Sequence, residues 1–177
     1  MAHIDLPPLP GIAGLLAAHP HTAGPLNDLA ETLLRGPSPL TPAQRETIAA
    51  HVSRGNGCEF CARTHGAVAR ELGGADAGDA TLRSLLVIAD RVRVDGRSVT
   101  EQDVAAAREA GADDRAIHDT VLIAAAFSMF NRYVDGLATA LPADPADYDR
   151  HASALAAGGY LRTGTGPAGS PGQPSSR

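Results

Sequence analysis

The sequence predicts an all-α fold, a single-domain bundle of about six to seven helices. Apolar residues recur at helical spacing in several segments, as Leu82, Leu85, Leu86 and Ala89 do. Glycine and proline separate these segments, and no stretch alternates apolar and polar residues as a half-buried strand would. A chain of 177 residues is long enough for one domain with a full core, and too short for two of ordinary size.

Three regions are expected along the chain. Residues 1–25 carry four prolines before Pro25 and little periodicity, which predicts an extended N-terminal arm packed on the domain. Residues 26–161 should form the helical domain. Residues 162–177 consist largely of Gly, Pro, Ser and Thr and have too few apolar side chains to bury themselves, so this tail should be disordered.

Capping signals and helix breakers indicate where the helices begin and end. Thr41 and Gln44 flank a proline in the pattern of a capping box. Asn56 or Gly57 is expected to cap the central helix. The predicted helices cover about residues 26–34, 42–53, 58–72, 79–93, 101–111 and 113–139, with a further short helix at about residues 148–157.

Composition narrows the classes of function. The formal net charge is −5, and the 15 positive residues are all arginine and scattered along the chain, so no basic surface for nucleic acid is expected. The absence of lysine excludes Schiff-base chemistry. No apolar run reaches the roughly 18 residues that span a bilayer, and the N-terminal stretch does not resemble a signal peptide. We expect a cytoplasmic protein without a membrane partner, and no cofactor.

Both cysteines lie in one short stretch at the predicted start of the central helix. Two residues separate Cys58 from Cys61, and His65 follows one helical turn after Cys61. At about 100° per residue, these three side chains share the apolar stripe of the helix, whereas Glu59 and Arg63 lie on its polar side. The pattern predicts a buried pair of thiols beside an imidazole, which is a candidate redox or metal site.

These residue types suit the reduction of peroxides. The unpaired N–H groups of a first helical turn stabilise cysteine thiolates, and His65 is within reach to accept a proton. Glu46, on the flank of the preceding helix, is expected to be half-buried. Burial would disfavour its ionised form and make it a base near neutral pH. An attacking thiolate would become a sulfenic acid, the second thiol would condense with it to a disulfide, and an external dithiol would restore the pair.

Other interpretations of the same residues remain open. Two buried cysteines can be ordinary core residues, or, as a less favoured case, form a structural disulfide. Cys58, Cys61, His65 and Glu46 also have the ligand types of a zinc site, although structural zinc sites usually draw their ligands from two separated segments. Glu46 could simply pair with Arg45 or another arginine.

The spacing of the four residues resembles a known redox signature. Glu46, Cys58, Cys61 and His65 match the pattern Glu-x11-Cys-x2-Cys-x3-His. This pattern is typical of the alkylhydroperoxidase D and carboxymuconolactone decarboxylase superfamily, in particular of its peroxidase-related branch. The surroundings are similar as well, including the segment at residues 127–136, and the resemblance extends over about residues 11–161.

The resemblance implies an alkylhydroperoxidase D-like fold of helical hairpins that assembles into a homo-trimer or homo-hexamer. It implies that Cys61 attacks the hydroperoxide and Cys58 resolves the product, while Glu46 and His65, with a water, pass the proton. The best-known members use a lipoyl-bearing protein, so the partners would be a hydroperoxide and an external dithiol or lipoyl-type reductant. Alkylhydroperoxidase D itself has a histidine directly before its second cysteine, where this chain has Phe60.

Two functions therefore fit the sequence. The first is a thiol-dependent hydroperoxidase, an antioxidant oxidoreductase that works through a dithiol/disulfide cycle with a Glu/His proton relay. The second is a non-catalytic redox-sensing or thiol–disulfide exchange protein of the same fold. True carboxymuconolactone decarboxylases lack the cysteine pair, which argues against lactone decarboxylation.

Overall fold

The structure is a computed structural model that describes residues 1–76 and 78–161. Its described part is built from α-helices and one short 3-10 turn at Gly96–Ser98. In chain order the helices are α1 (Ile12–Ala18), α2 (Pro20–Arg35), α3 (Pro42–Gly55), α4 (Glu59–Glu71), α5 (Ala80–Val94), α6 (Glu101–Glu109), α7 (Asp114–Gly136) and α8 (Ala146–Gly158). The all-α prediction is therefore confirmed.

The N-terminal region differs from the prediction. The described residues contain eight α-helices rather than six to seven, because the expected extended arm over residues 1–25 is wrong beyond residue 11. Leu15 and Leu16 of α1 are buried in the core. Pro20 occupies the first turn of α2, where a proline loses no helical hydrogen bond, and Pro25 is accommodated further inside the same helix. Burial of apolar side chains of α1 therefore outweighs the effect of the nearby prolines.

The packing places α4 inside the bundle. It lies between α3 and α8, while α7 packs against both α3 and α5. The first eleven residues are fastened to the end of α7, since the N–H of His3 donates to Leu137 O at 3.0 Å and that of Gly11 to Ala140 O at 2.9 Å. Gly11, which precedes α1, lies beside the ring of Phe60 on α4, and α1 and α2 both pack against α7.

The predicted capping box of α3 is confirmed, whereas the start of α4 is shifted. The backbone N–H of Gln44 donates to Thr41 Oγ1, and that of Thr41 donates to Gln44 Oε1. The N-cap of α4 is Cys58 itself, not Asn56 or Gly57. Gly57 has a φ of 78°, a left-handed conformation that favours glycine, and Asn56 ends α3.

Two expectations concern the ends of the chain and the membrane. The prediction of a disordered tail at residues 162–177 lies outside the described residues. Within the described part, no helix is both long and apolar enough to cross a bilayer.

Candidate active site

The first turns of α4 carry the two cysteines and the histidine on the face that points into the bundle. Cys58 is 0% exposed and Cys61 4% exposed, and His65 is also buried. Glu59 and Arg63 lie on the exposed side, where they form an i,i+4 ion pair. The two cysteines approach each other to 3.2 Å, and both are free thiols. The helical wheel predicted this arrangement because it depends only on positions within one helix.

The pKa values of the two thiols are shifted in opposite directions. The hydrogen bond with Cys58 lowers the pKa of Cys61, and the charge of His65 and a hydrogen bond from Asn131 act in the same direction against the effect of burial. The same hydrogen bond, followed by burial, raises the pKa of Cys58. Cys58 is therefore the thiol that keeps its proton and donates it toward the Cys61 sulfur, and Cys61 is the thiol that ionises more easily.

Glu46 is fully buried and lies at the centre of a polar cluster, which differs from the half-buried flank position that was expected. Its Oε2 lies 2.7 Å from Nδ1 of His65, and its Oε1 lies 2.7 Å from Nη1 of Arg35. Tyr160 donates its hydroxyl to the same Oε1 at 2.7 Å. Each carboxylate oxygen is thus held by at least one strong partner.

These contacts correct the prediction that Glu46 is a base near neutral pH. Burial by itself raises the pKa of Glu46, but the hydrogen bond and charge of His65, the charge of Arg35 and the hydrogen bond of Tyr160 outweigh it. The net pKa is lowered, so Glu46 is a carboxylate. The pairing with an arginine does occur, but the partner is Arg35, because Arg45 instead donates to the carbonyl oxygens of Leu33 and Gly36.

Two residues of the cluster, Tyr160 and Arg35, were missed by the sequence reasoning. The guanidinium of Arg35 lies over the Tyr160 ring, 5.1 Å from its centroid. The Tyr160 ring is nearly parallel to the imidazole of His65, with centroids 6.1 Å apart. The available signal was faint: Tyr160 is an aromatic residue directly after the glycines that end α8, and Arg35 is the last residue of α2.

A second polar group supports the cysteine end of the site. Asn131 on α7 is 1% exposed, and its Nδ2 donates to Ser53 Oγ at 2.9 Å. Its Oδ1 accepts from Nδ2 of Asn56 at 2.9 Å. The amide is thereby fixed between the end of α3 and the cysteines, where it also forms the hydrogen bond that favours the thiolate of Cys61.

Comparisons with known proteins found similarity to one protein family and to solved structures. Residues 20–77, which include α3 and both cysteines, match the model of the carboxymuconolactone decarboxylase family. A crystal structure of an uncharacterized peroxidase-related protein from Silicibacter sp. TM1040 is 25% identical, with a TM-score of 0.73 over 84% of this chain and 94% of that one. The chain is thus similar to that family over residues 20–77, and similar in fold to this peroxidase-related protein.

A second solved structure supports the fold. It is described as an alkylhydroperoxidase AhpD core, an uncharacterized peroxidase-related protein from Ralstonia eutropha JMP134. It is 24% identical, with a TM-score of 0.69 over 82% of each chain. A search of curated proteins gave no match. The two structural neighbours are described as peroxidase-related, while the matched family model is named for decarboxylases, so these similarities do not by themselves define the chemistry of the site.

A cavity of about 180 Å³ opens onto the site. Of the two thiols, Cys61 is the one that lines it in the described part of the chain. Its polar lining residues are Asn27, Thr64, His65, His151 and Tyr160, and the rest of the lining is mostly aliphatic and aromatic. The apolar lining comes from α1, α2, α4, α7 and α8, and includes Ile12, Leu16, Leu26, Phe60, Phe127, Phe130 and Leu155. A molecule in this cavity would meet the sulfur with the lowered pKa.

The geometry around His65 allows a proton to pass between Cys61 and the imidazole. Because Glu46 is ionised, Nδ1 of His65 carries the proton of their 2.7 Å hydrogen bond, and Nε2 is the nitrogen left to exchange a proton with Cys61. The hydrogen bond to the Glu46 carboxylate thus determines both the tautomer and the ring orientation of His65. No group of three or more His, Cys, Asp and Glu side chains among the described residues is arranged to hold a metal ion, and the oxygens of Glu46 are engaged by Arg35, Tyr160 and His65.

Proposed function

We propose that the protein is a thiol-dependent hydroperoxidase that uses Cys61 and Cys58 in a dithiol/disulfide cycle. The observation that carries the proposal is the asymmetry of the thiols. The sulfur that lines the cavity is the one whose pKa is lowered, and the sulfur behind it keeps its proton. A peroxidase needs this order, since the nucleophile must be an accessible thiolate and the resolving thiol must wait for the oxidised product.

The cycle uses the residues of the site in two steps. In the first, His65 takes the proton of the Cys61 thiol, the thiolate attacks the terminal oxygen of the hydroperoxide, and the O–O bond breaks. His65 then returns the proton to the departing alkoxide, which gives an alcohol and a Cys61 sulfenic acid. In the second, the sulfur of Cys58 displaces hydroxide from Cys61, and with the thiol proton this leaves as water and a disulfide remains. Two electrons have passed from the thiols to the peroxide.

The cycle closes when an external dithiol, of the lipoyl type implied by the family resemblance, reduces the disulfide and is itself oxidised. A cytoplasmic location suits this chemistry because that compartment keeps free thiols reduced. Assembly into a homo-trimer or homo-hexamer stays a prediction. Leu122 and Met129 on the outer side of α7 and Val87 on α5 are exposed apolar side chains that such an interface would bury.

The test is turnover of an aromatic organic hydroperoxide with a dithiol, measured for the wild type, Cys61→Ser and Cys58→Ser. We expect catalytic consumption by the wild type and none by Cys61→Ser. Without added thiol, Cys58→Ser should consume about one equivalent per chain and then stop as the sulfenic acid, because nothing condenses with it. If the wild type and Cys61→Ser consume peroxide at the same rate, the proposal fails.

The same experiment separates the enzyme from a redox sensor. A sensor would form the Cys58–Cys61 disulfide stoichiometrically, but its consumption of peroxide in the presence of dithiol would not exceed that of the dithiol alone. Mass spectrometry of the oxidised chain identifies the disulfide in either case, so turnover is the quantity that decides between the two functions.

A further inference from the structure

Tyr160 contacts the proposed relay although it lies outside the family segment at residues 20–77. Its hydroxyl is 2.7 Å from Oε1 of Glu46 and 3.3 Å from Nδ1 of His65. Its ring lies nearly parallel to the imidazole, at an interplanar angle of 20°. The edge of the same imidazole faces Phe127, with ring centroids 4.5 Å apart. The histidine ring is therefore confined on two sides by aromatic rings.

The turn that follows α8 places the Tyr160 side chain in the cluster. Gly159 has a φ of 67°, which turns the chain inward, and a Cβ at that position would collide with the carboxylate of Glu31. Oε2 of Glu31 accepts the backbone N–H of Tyr160 at 2.7 Å. The turn at Gly159 and the anchored backbone of Tyr160 thus direct its buried side chain into the cluster. Fixing the backbone and side chain of Tyr160 in this way costs conformational entropy.

We propose that Tyr160 is a positioning residue that holds the Glu46–His65 pair in the orientation that leaves Nε2 of His65 free for the proton of Cys61. This role serves the proposed function and in that sense rests on it, but the test described below does not require the protein to be a peroxidase. The tyrosine hydroxyl and Arg35 together occupy Oε1 of Glu46, so only Oε2 is left for Nδ1 of His65. A carboxylate held at both oxygens has a single orientation, and it imposes one tautomer and one ring orientation on the histidine.

The charged and titratable groups that face this pair come from several elements. Arg35 on α2 contacts Glu46 directly, Arg45 on α3 acts on it at longer range, and Cys61 on α4 and His151 on α8 lie near enough to His65 to feel its charge. Of these groups, Arg35 shares with Tyr160 the contact on Oε1. The hydroxyl of Tyr160 is uncharged, so its removal tests positioning without changing the charge of the cluster.

The experiment compares Tyr160→Phe with the wild type by the rate at which iodoacetamide alkylates reduced Cys61, measured by peptide mass spectrometry from about pH 6 to about pH 9. Phenylalanine keeps the ring and loses only the hydroxyl. We expect alkylation near pH 7 to slow by about tenfold, the change that one hydrogen bond to a charged group produces. The deficit should vanish at high pH, where the thiol ionises without help from His65.

Tyr148→Phe is the matched control. Tyr148 is a buried tyrosine of α8, the helix that precedes Tyr160, and its hydroxyl has no hydrogen-bond partner in the part of the chain that the structure describes. Its alkylation profile should match the wild type. The proposal is overturned if Tyr160→Phe behaves like the wild type near pH 7, if its deficit is equal at every pH, or if Tyr148→Phe shows the same pH-dependent deficit.

Alkylation needs no peroxide, so the result does not depend on peroxidase turnover. A chain that fails to reduce hydroperoxides but shows the pH-dependent loss in Tyr160→Phe would refute the proposed function and leave the positioning role standing. If the wild type reduces hydroperoxides but Tyr160→Phe shows no pH-dependent loss of alkylation rate, the proposed function stands and the positioning role is refuted. Thermal unfolding of each variant shows whether the fold is kept.

Discussion

Replacing Glu46 by glutamine tests the electrostatic centre of the site most directly. The substitution keeps the size and shape of the side chain but removes its charge. Arg35, whose side chain is 13% exposed, then loses the carboxylate at 2.7 Å and keeps only neutral acceptors, including the carbonyl oxygens of Leu34 and Leu155. We therefore expect Glu46→Gln to fold with reduced stability.

The size of the loss follows from the burial of the pair. Removing one partner of a buried ion pair typically costs about 3–5 kcal/mol, because the other charge stays buried without compensation. Arg35 retains slight exposure and its carbonyl acceptors, so the lower end, about 3 kcal/mol at neutral pH, is expected. For a chain of this size that corresponds to a decrease in Tm of about 6–12 °C.

The loss should depend on pH in a defined direction. The pKa of Glu46 is lower in the folded protein than its ordinary value of 4.5. A carboxylate of this kind contributes stability that is fully present above its unfolded pKa and disappears as the pH falls through the folded pKa. The difference in unfolding free energy between the wild type and Glu46→Gln should therefore be constant from neutral pH down to about pH 5 and shrink in more acidic solution.

Urea unfolding followed by circular dichroism, at neutral and at acidic pH, measures this difference. Glu59→Gln is the control, since it breaks the exposed i,i+4 pair with Arg63 and should cost less than about 0.5 kcal/mol. The reasoning is refuted if both substitutions cost the same at neutral pH. It is also refuted if the cost of Glu46→Gln is independent of pH.

Two further substitutions test the wall and the support of the site. Phe60 lines the cavity that holds Cys61 and also a neighbouring groove beside Leu9 and Tyr148, and its ring packs on Gly11. Phe60→Ala should therefore raise the rate with a bulky aromatic hydroperoxide relative to the rate with hydrogen peroxide, and should lower the unfolding free energy by about 3 kcal/mol. An unchanged ratio of the two rates would contradict this. Asn131→Ala should raise the pKa of Cys61 and slow its alkylation near neutral pH, because the amide that stabilises the thiolate is lost. Arg132→Ala is its control, since this exposed neighbour donates to a carbonyl of its own helix, and equal slowing in both variants would count against a specific role of Asn131.

The parts of the site that were predictable are those fixed by local geometry. Cys58, Cys61 and His65 lie on one helix, so their common face follows from 3.6 residues per turn. Glu46 lies on the adjacent helix α3, joined to α4 by a short turn, and the family spacing located it. Its ionisation was not predictable, because the groups that determine it come from distant parts of the chain, at residues 35 and 160.

The extra N-terminal helix was missed for a different reason. Prolines argue against a helix only where they fall inside it. Pro7, Pro8 and Pro10 precede α1, and Pro20 lies in the first turn of α2, where a proline costs little. The burial of Leu15 in α1 against the rest of the core outweighs the weak local preference. The number of prolines in a segment does not show whether its apolar side chains will be buried by the rest of the fold.

The polar cluster also explains how a thiolate can be held in so buried a place. An isolated buried charge is strongly disfavoured. Arg35 and Glu46 already form a neutral pair, so a proton that moves from Cys61 to His65 creates one negative and one positive charge inside a cluster whose total charge does not change. Proton transfer within the cluster therefore avoids the cost of burying a net charge, whereas transfer to bulk water would leave the sulfur uncompensated. We therefore expect the reactivity of Cys61 to depend on His65 even if Glu46 never exchanges a proton, with Glu46 keeping the imidazole in place and balancing the charge of Arg35.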